Sequence, residues 1–270
     1  MKLSPPDSLN EKEKRKWLSF GFKRNEIVEL DEKVSADENK KLRFQTYIKD
    51  YLATIKSVDD NIGRVLSYLK DSNLEENTII IYASDQGFFI GEHGWFDKRF
   101  MYEESIRMPF VIKYPGMIKP NTVNKDIITN IDFAPTILEM AGVEHPKSVQ
   151  GKSFLDNLVE ENSENWRQSM YYHYYEYPFY HHVQPHYGIR GERYKLIHFY
   201  YDVDLWELYD LKEDPNELNN LINSEMHKDH VVRLRKELYN LKNLYGNSLS
   251  LEEMRNISRK DFGGLESKKK

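Results

Sequence analysis

Residues 77–116 read NTIIIYASDQGFFIGEHGWFDKRFMYEESIRMPFVIKYPG, and the fold turns on how this stretch opens. Thr78 to Ala83 is a short apolar run rich in β-branched residues, which predicts a strand buried on both faces of a sheet. With the strand ending at Ser84, Asp85 and Gln86 fall just past its carboxyl end, where open α/β sheets present their chemistry. Gly87 lets the backbone turn away sharply. A carboxylate beside an amide carbonyl suits a hard cation such as Ca2+ or Mg2+, whereas Zn2+ calls for His or Cys. Beyond the turn, GEHG supplies His93 and FDKR supplies Lys98. YEES, Arg107 and a second strand candidate, Pro109 to Tyr114, follow. The layout is that of a cation site with an anion site beside it. Taken singly, Asp85 reads as a turn cap, Lys98 as a solvated charge and His93 as a loop histidine; the functional reading rests on the whole string.

Working outward, apolar positions recur at three- and four-residue steps from Tyr47 to Leu69, which predicts a long amphipathic helix over about 37–70. It ends at the Asp71-Ser72-Asn73 cluster and is expected to cover one face of the sheet. Residues 1–36 are charged and irregular, with Pro5 and Pro6 adjacent, and read as a surface loop. A short helix is expected over 130–142, with Pro135 in its first turn and Gly142 just past its end. The polar stretch from there to Trp166 is the natural boundary, so that 37–164 form one unit. Residues 165–247 form a second, a small antiparallel sheet carrying RYKLIHFY and WELYDL. A helix whose apolar face includes Val231, Leu234, Leu238, Leu241 and Leu244 closes it. The tail over 248–270 has weak periodicity and is expected to be flexible.

The segment from Tyr171 to Arg193, YYHYYEYPFYHHVQPHYGIRGER, concentrates tyrosines together with four histidines. Two readings stand side by side. Aromatic faces with hydrogen-bonding tips can form a sugar-binding wall, or the tyrosines can knit the small sheet to the main domain while the histidines are satisfied internally. The formal charge of −5 and the absence of a basic stripe argue against nucleic acid. Mean hydropathy is −0.75, and no apolar run approaches membrane-spanning length. Without cysteine there is no disulfide framework and no indication of compartment.

The string SDQGFFIGEHGWFDKRFMYEESIRMPFVIKYPG resembles, without a gap, the signature of the sulfatase family in the alkaline-phosphatase-like superfamily. The resemblance continues through YIKDYLATIKSVDDNIGRVLSYL, NIDFAPTILEMAGV, WRQSMYYHYYEYP, HYGIRGERYKLIHFY and WELYDLKEDPNELNNL, together most of residues 40–222. It is strongest to the bacterial enzymes described as N-acetylglucosamine-6-sulfatase-like or mucin-desulfating. It implies an α/β fold, a partial alkaline-phosphatase-like sandwich with a small C-terminal antiparallel sheet plus helix. It further implies a sulfuric ester hydrolase acting on a sulfated glycan, with export to the periplasm or cell exterior.

By the same resemblance, Asp85 and Gln86 are two ligands of a single Ca2+ and Lys98 is the catalytic lysine on the sulfate oxygens. His93, His182, His186 and Arg190 contact substrate, and Arg107 is structural, pairing with a carboxylate under the sheet. The family's nucleophile is a formylglycine made from a C/S-x-P-S-R motif, and neither Cys nor that motif occurs in these 270 residues. The other metal carboxylates of the family come from an Asp-Asp pair after its first strand, for which Asp59 and Asp60, inside a helical pattern, are no substitute. The resemblance therefore implies a C-terminal half with an incomplete Ca2+ site and a missing N-terminal half as partner. Its rivals are a phosphohydrolase or phosphonate hydrolase of the same superfamily, and a non-catalytic carbohydrate-binding remnant.

Overall fold

The computed structural model describes residues 35–159, 165–177, 181 and 183–262; all but the last two positions of the segment expected over 1–36 lie outside them. Helix α1 spans Ala36–Asp71. It begins with a reciprocal cap, in which the Ser35 hydroxyl accepts the Glu38 N–H and the Glu38 carboxylate accepts the Ser35 N–H, and it stops where Asn73 turns left-handed at φ 56°. Strand β1, Ile80–Ala83, pairs antiparallel with β4, Phe110–Lys113. Between them lie a two-residue ribbon of β2, Phe89–Ile90, and β3, Phe96–Asp97, and the single-turn helix α2, Glu103–Ile106.

The strand expected to be buried on both faces is not. Ile81, Tyr82 and Val111 are exposed, because β1 pairs only with β4 among the described residues. The apolar stripe of α1 is also only partly covered. Tyr47 meets Phe96 edge-on at 4.8 Å and Tyr51 stacks on Phe88 at 6.0 Å, while Leu52, Ile55, Val58 and Val65 remain exposed. No helix among the described residues is long and apolar enough to cross a membrane.

Helix α3, Phe133–Met140, and the short α4, Leu155–Val159, follow. Within the stretch read as a polar linker, residues 143–148 are exposed, but the part around Gly151 and Phe154 is packed. Phe154 is buried against Phe110 and Phe133 at 5.5 and 5.6 Å, and a Cβ at Gly151 would lie 2.0 Å from the Ile131 carbonyl. The Trp166 indole donates to the Ile127 carbonyl (2.8 Å), and the Arg167 guanidinium grips the buried Asp132 carboxylate (Nη2 to Oδ1, 2.7 Å).

The second part is a four-stranded meander in the order β5 (Ser169–Tyr174), β6 (His186–Gly191), β7 (Tyr194–Phe199) and β8 (Leu205–Asp210). Here β7, YKLIHF, is the strand buried on both faces. Alternation explains it: Tyr194 and Leu196 face α5, Lys228–Leu244, where Leu234 and Leu238 meet them with Tyr187, Ile189 and Leu208. Ile197 and Phe199 face the other way, onto Phe89, Trp95, Phe100, Met101 and Tyr102. Leu244, expected on the buried face of α5, is exposed. The tail read as flexible forms α6, Leu251–Phe262, and drives Met254 into the α5 side of the core. Its signal was weak because one buried methionine anchors it.

On the inner face of β7 the alternation also buries an ammonium. Lys195 lies 2.8 Å from Glu103 and 2.7 Å from Glu217, as charge contacts off the hydrogen-bond line. Arg190 forks onto the same Glu103 carboxylate (3.3 and 3.1 Å), and Glu217 also accepts the Glu103 N–H (2.7 Å), capping α2. Burial pushes the Glu103 carboxyl up, but Lys195 and Arg190 outweigh it and hold it at about 2. Lys195→Met leaves the buried Glu217 carboxylate without a cation and takes one of two cations from Glu103, and is expected to lower unfolding stability by about 3–5 kcal/mol in a urea titration. Glu207, on β8, lies in the same cluster without a cation of its own; it accepts from the Tyr102 hydroxyl (2.8 Å), and burial raises its carboxyl to about 7. A raised acid favours the native state below its unfolded value, and that contribution is lost as pH rises through 7. Glu207→Gln should therefore gain up to about 3 kcal/mol over the parent at pH 8, with no gain below about pH 4.5, in unfolding curves across that range.

Candidate active site

Asp85 and Gln86 emerge directly from β1. The Ser84 hydroxyl ties this corner, donating to the Gln86 carbonyl (2.9 Å). Gly87 is needed for closeness rather than for a left-handed turn: a Cβ there would lie 2.1 Å from the Glu104 carbonyl and 2.5 Å from that of Arg107. Its N–H donates to the Ser105 carbonyl (2.8 Å), so the corner is pinned to α2.

Lys98 arrives from β3 on strained backbone. Its neighbours Asp97 and Arg99 have φ of 91° and 96°, values that non-glycine residues rarely adopt, and their side chains pair at 2.6 Å. The Arg99 N–H donates to the Ser105 hydroxyl (2.8 Å), and the Arg99 carbonyl accepts from the Tyr172 hydroxyl (2.7 Å). The outcome is that Lys98 Nζ reaches the Gln86 amide at 2.7 Å, while the other end of that amide lies 3.3 Å from Asp85 Oδ2. With its oxygen toward Lys98 and its nitrogen toward Asp85, the amide satisfies both neighbours. Turned over, it places two oxygens side by side, as a shared cation requires, and faces Lys98 with a nitrogen. One amide thus links the candidate cation ligand to the candidate anion-binding lysine.

The donors are hard oxygens and suit Ca2+ or Mg2+ in kind, but two fall short of the about six to eight that Ca2+ takes. Among the described residues no group of three or more His, Cys, Asp or Glu stands ready to hold a metal.

The residues expected on the substrate fare differently. His93 is buried, its ring stacked on Tyr102 (4.6 Å) and its Nε2 3.6 Å from Glu104, so it belongs to the interior. His186, also expected on the substrate, lies in the interior as well. It is fully buried, with Nδ1 donating to the Gln184 carbonyl (2.7 Å) and its ring among Phe100, Tyr172 and Phe199. Its place on the inner face of β6 gives it no route to a substrate. Arg190 holds Glu103 and lines a cleft of about 500 Å3 with Arg107, Arg193 and Lys212. His182 lies outside the described residues. Arg107 is exposed and, among the described residues, pairs with no carboxylate.

Of the described tyrosines in the 171–187 segment, Tyr187 is buried and Tyr171, Tyr172, Tyr174 and Tyr177 are half-buried, while Tyr175 is exposed. Tyr172 knits the sheet to Arg99, and His173 is held by Tyr200 (2.9 Å) and Asn247 (2.9 Å), in line with the knitting role rather than the sugar wall. The residues that sequence reasoning missed are Ser105, Glu103 and Lys195, which hold the two half-sites; a buried lysine inside YKLIHF was their one visible signal.

The corner after β1, with its carboxylate and amide and a lysine folded back onto the amide, lies in an α/β fold shared with structures of the alkaline-phosphatase-like class. The sulfatase profile matches residues 9–143, and that of the N-sulphoglucosamine sulphohydrolase C-terminal region matches 91–244. The chain belongs to the sulfatase family.

It is 53% identical over 201 residues to an N-acetylglucosamine-6-O-sulfatase of Bacteroides thetaiotaomicron, covering 74% of this chain and 35% of that one. A structure solved in complex with its substrate D-glucosamine-2-N,6-O-disulfate superposes with a TM-score of 0.76 at 50% identity, covering 78% of this chain and 43% of that one. A phosphonate monoester hydrolase from Silicibacter pomeroyi superposes with a TM-score of 0.67 at 27% identity, over 74% of this chain and 41% of that one. The chain spans a little over a third of the length of the curated relatives it matches.

Burial lowers the His186 imidazole to about 4, so it should stay neutral through the physiological range. In a histidine-labelled NMR titration its midpoint is expected near pH 4; a midpoint at the ordinary value near 6.5 would show it solvated and reopen the substrate role.

Proposed function

We propose that this chain supplies part of the active site of a sulfuric ester hydrolase acting on a sulfated carbohydrate, a sulfated N-acetylhexosamine of a glycan. The observation that carries this reading is the Gln86 amide, which has the Lys98 ammonium at one end and the Asp85 carboxylate at the other. Asp85 and Gln86 would hold Ca2+ together with oxygens from outside these residues. The bound cation would neutralise charge on the non-bridging oxygens of the ester. Lys98 binds those same oxygens from the other side, and its strained backbone keeps the ammonium aimed at them. The nucleophile, a formylglycine in the family, has no source in these 270 residues, which contain neither cysteine nor C/S-x-P-S-R.

The similarity to a glucosamine 6-O-sulfatase and to a protein bound to a disulfated glucosamine supports the hexosamine class of substrate. A phosphonate or phosphate ester hydrolase is the second reading, since one structural neighbour has that activity. Gln86 speaks against the two-zinc sites of such enzymes, which want histidine there.

In the complete sulfatase polypeptide bearing this sequence, Lys98→Ala should lower kcat/KM on a 6-sulfated N-acetylglucosamine by about 100- to 1,000-fold. The 270 residues alone should release no sulfate from it and should bind Ca2+ weakly in calorimetry; measurable turnover by the purified chain would overturn the assignment of the nucleophile.

A further inference from the structure

Resting on the assignment of Asp85, Gln86 and Lys98 just made, we propose that Ser105 is the positioning residue that sets the distance between the cation-facing corner and the sulfate-facing lysine. Its carbonyl accepts the N–H of Gly87, the residue after Gln86, and its hydroxyl accepts the N–H of Arg99, the residue after Lys98, each at 2.8 Å. One buried side chain and its own carbonyl thus hold both half-sites.

The two halves need holding for different reasons. At Gly87 there is no room to shift, with the Glu104 and Arg107 carbonyls where a Cβ would sit. At Arg99 the reverse applies: a φ of 96° relaxes unless the peptide is fixed at both ends, by Ser105 at the N–H and by Tyr172 at the carbonyl. Ser105 can act as a datum because it is itself anchored. It lies on α2, whose first residue is clamped through its carboxylate by Lys195 and Arg190 and through its N–H by Glu217. An alanine at 105 keeps the carbonyl tie but leaves the Arg99 N–H without its acceptor, freeing the peptide next to Lys98. The Gln86 corner then stays in place while the lysine drifts from it.

The test uses the 270-residue chain and inorganic sulfate, followed by NMR through the Gln86 side-chain amide. Lys98→Ala should abolish the response. Ser105→Ala should weaken sulfate binding about tenfold and move the free-state Gln86 amide signal, whereas Ser105→Thr, which keeps a hydroxyl, should stay within about twofold of the parent. Thr136→Ala is the structural control: its buried hydroxyl accepts the Phe154 N–H (3.0 Å) away from the site, so it should lower the melting temperature comparably without touching sulfate affinity. Should Ser105→Ala fail to fold, Ser105→Cys, a weaker acceptor, takes its place in the same comparison. Binding lost in Lys98→Ala but no weaker in the Ser105 variant than in Thr136→Ala overturns the positioning role alone. Binding undiminished in Lys98→Ala overturns the site assignment and the positioning role with it.

Discussion

A lysine ammonium buried between two carboxylates is the constraint on which the rest depends. Lys195 projects from the inner face of β7 and is accommodated only because Glu103 and Glu217 meet it. Glu103 opens a helix of a single turn, far too short to persist by its own hydrogen bonds. The ion cluster therefore substitutes for length. It fixes α2 to the C-terminal sheet, and α2 fixes the loops that carry Gln86 and Lys98. The groups proposed for chemistry all lie between residues 84 and 99, yet their rigidity comes from β6 to β8, about a hundred residues further along.

The same cluster divides its acids. Glu103 is held low by two cations, whereas Glu207, one strand over, has tyrosine hydroxyls for company and is pushed up by burial. Their opposite titrations place the optimum of this pair in mildly acidic solution near pH 4.5, because the contribution of Glu103 is lost below that value and that of Glu207 is lost from there up to about 7. The buried histidines work from the acid side, since His186 and His173 are both neutral groups that resist charging.

Much of this was legible in the sequence. The periodicity from Tyr47 to Leu69 located α1, and Pro135 and Gly142 framed α3, whereas the nearness of Lys98 to Asp85 and Gln86 was implied by the family resemblance and not by spacing. What escaped was long-range. Phe154 sits in GKSFLDNLV, where nothing local distinguishes it from its apolar neighbours or reveals that it fills a gap beside Phe110 and Phe133. His186 sits in a run of aromatic and polar residues whose inward or outward facing depends on strand register, and a shift of one position reverses it. Burial on both faces was read at β1 and found at β7, because an apolar run shows that a strand can be covered and not what will cover it. Ser105 was invisible for a simpler reason: its partners are backbone N–H groups, which leave no trace in side-chain identity.

The two left-handed residues beside Lys98 carry an evolutionary consequence. Glycine at 97 or 99 would remove the torsional penalty outright, so a laboratory selection for heat resistance should be drawn to these positions early. Each such gain would also slacken the arm on which the ammonium is carried. Robustness and the aim proposed for Lys98 are thus set against each other within three consecutive residues.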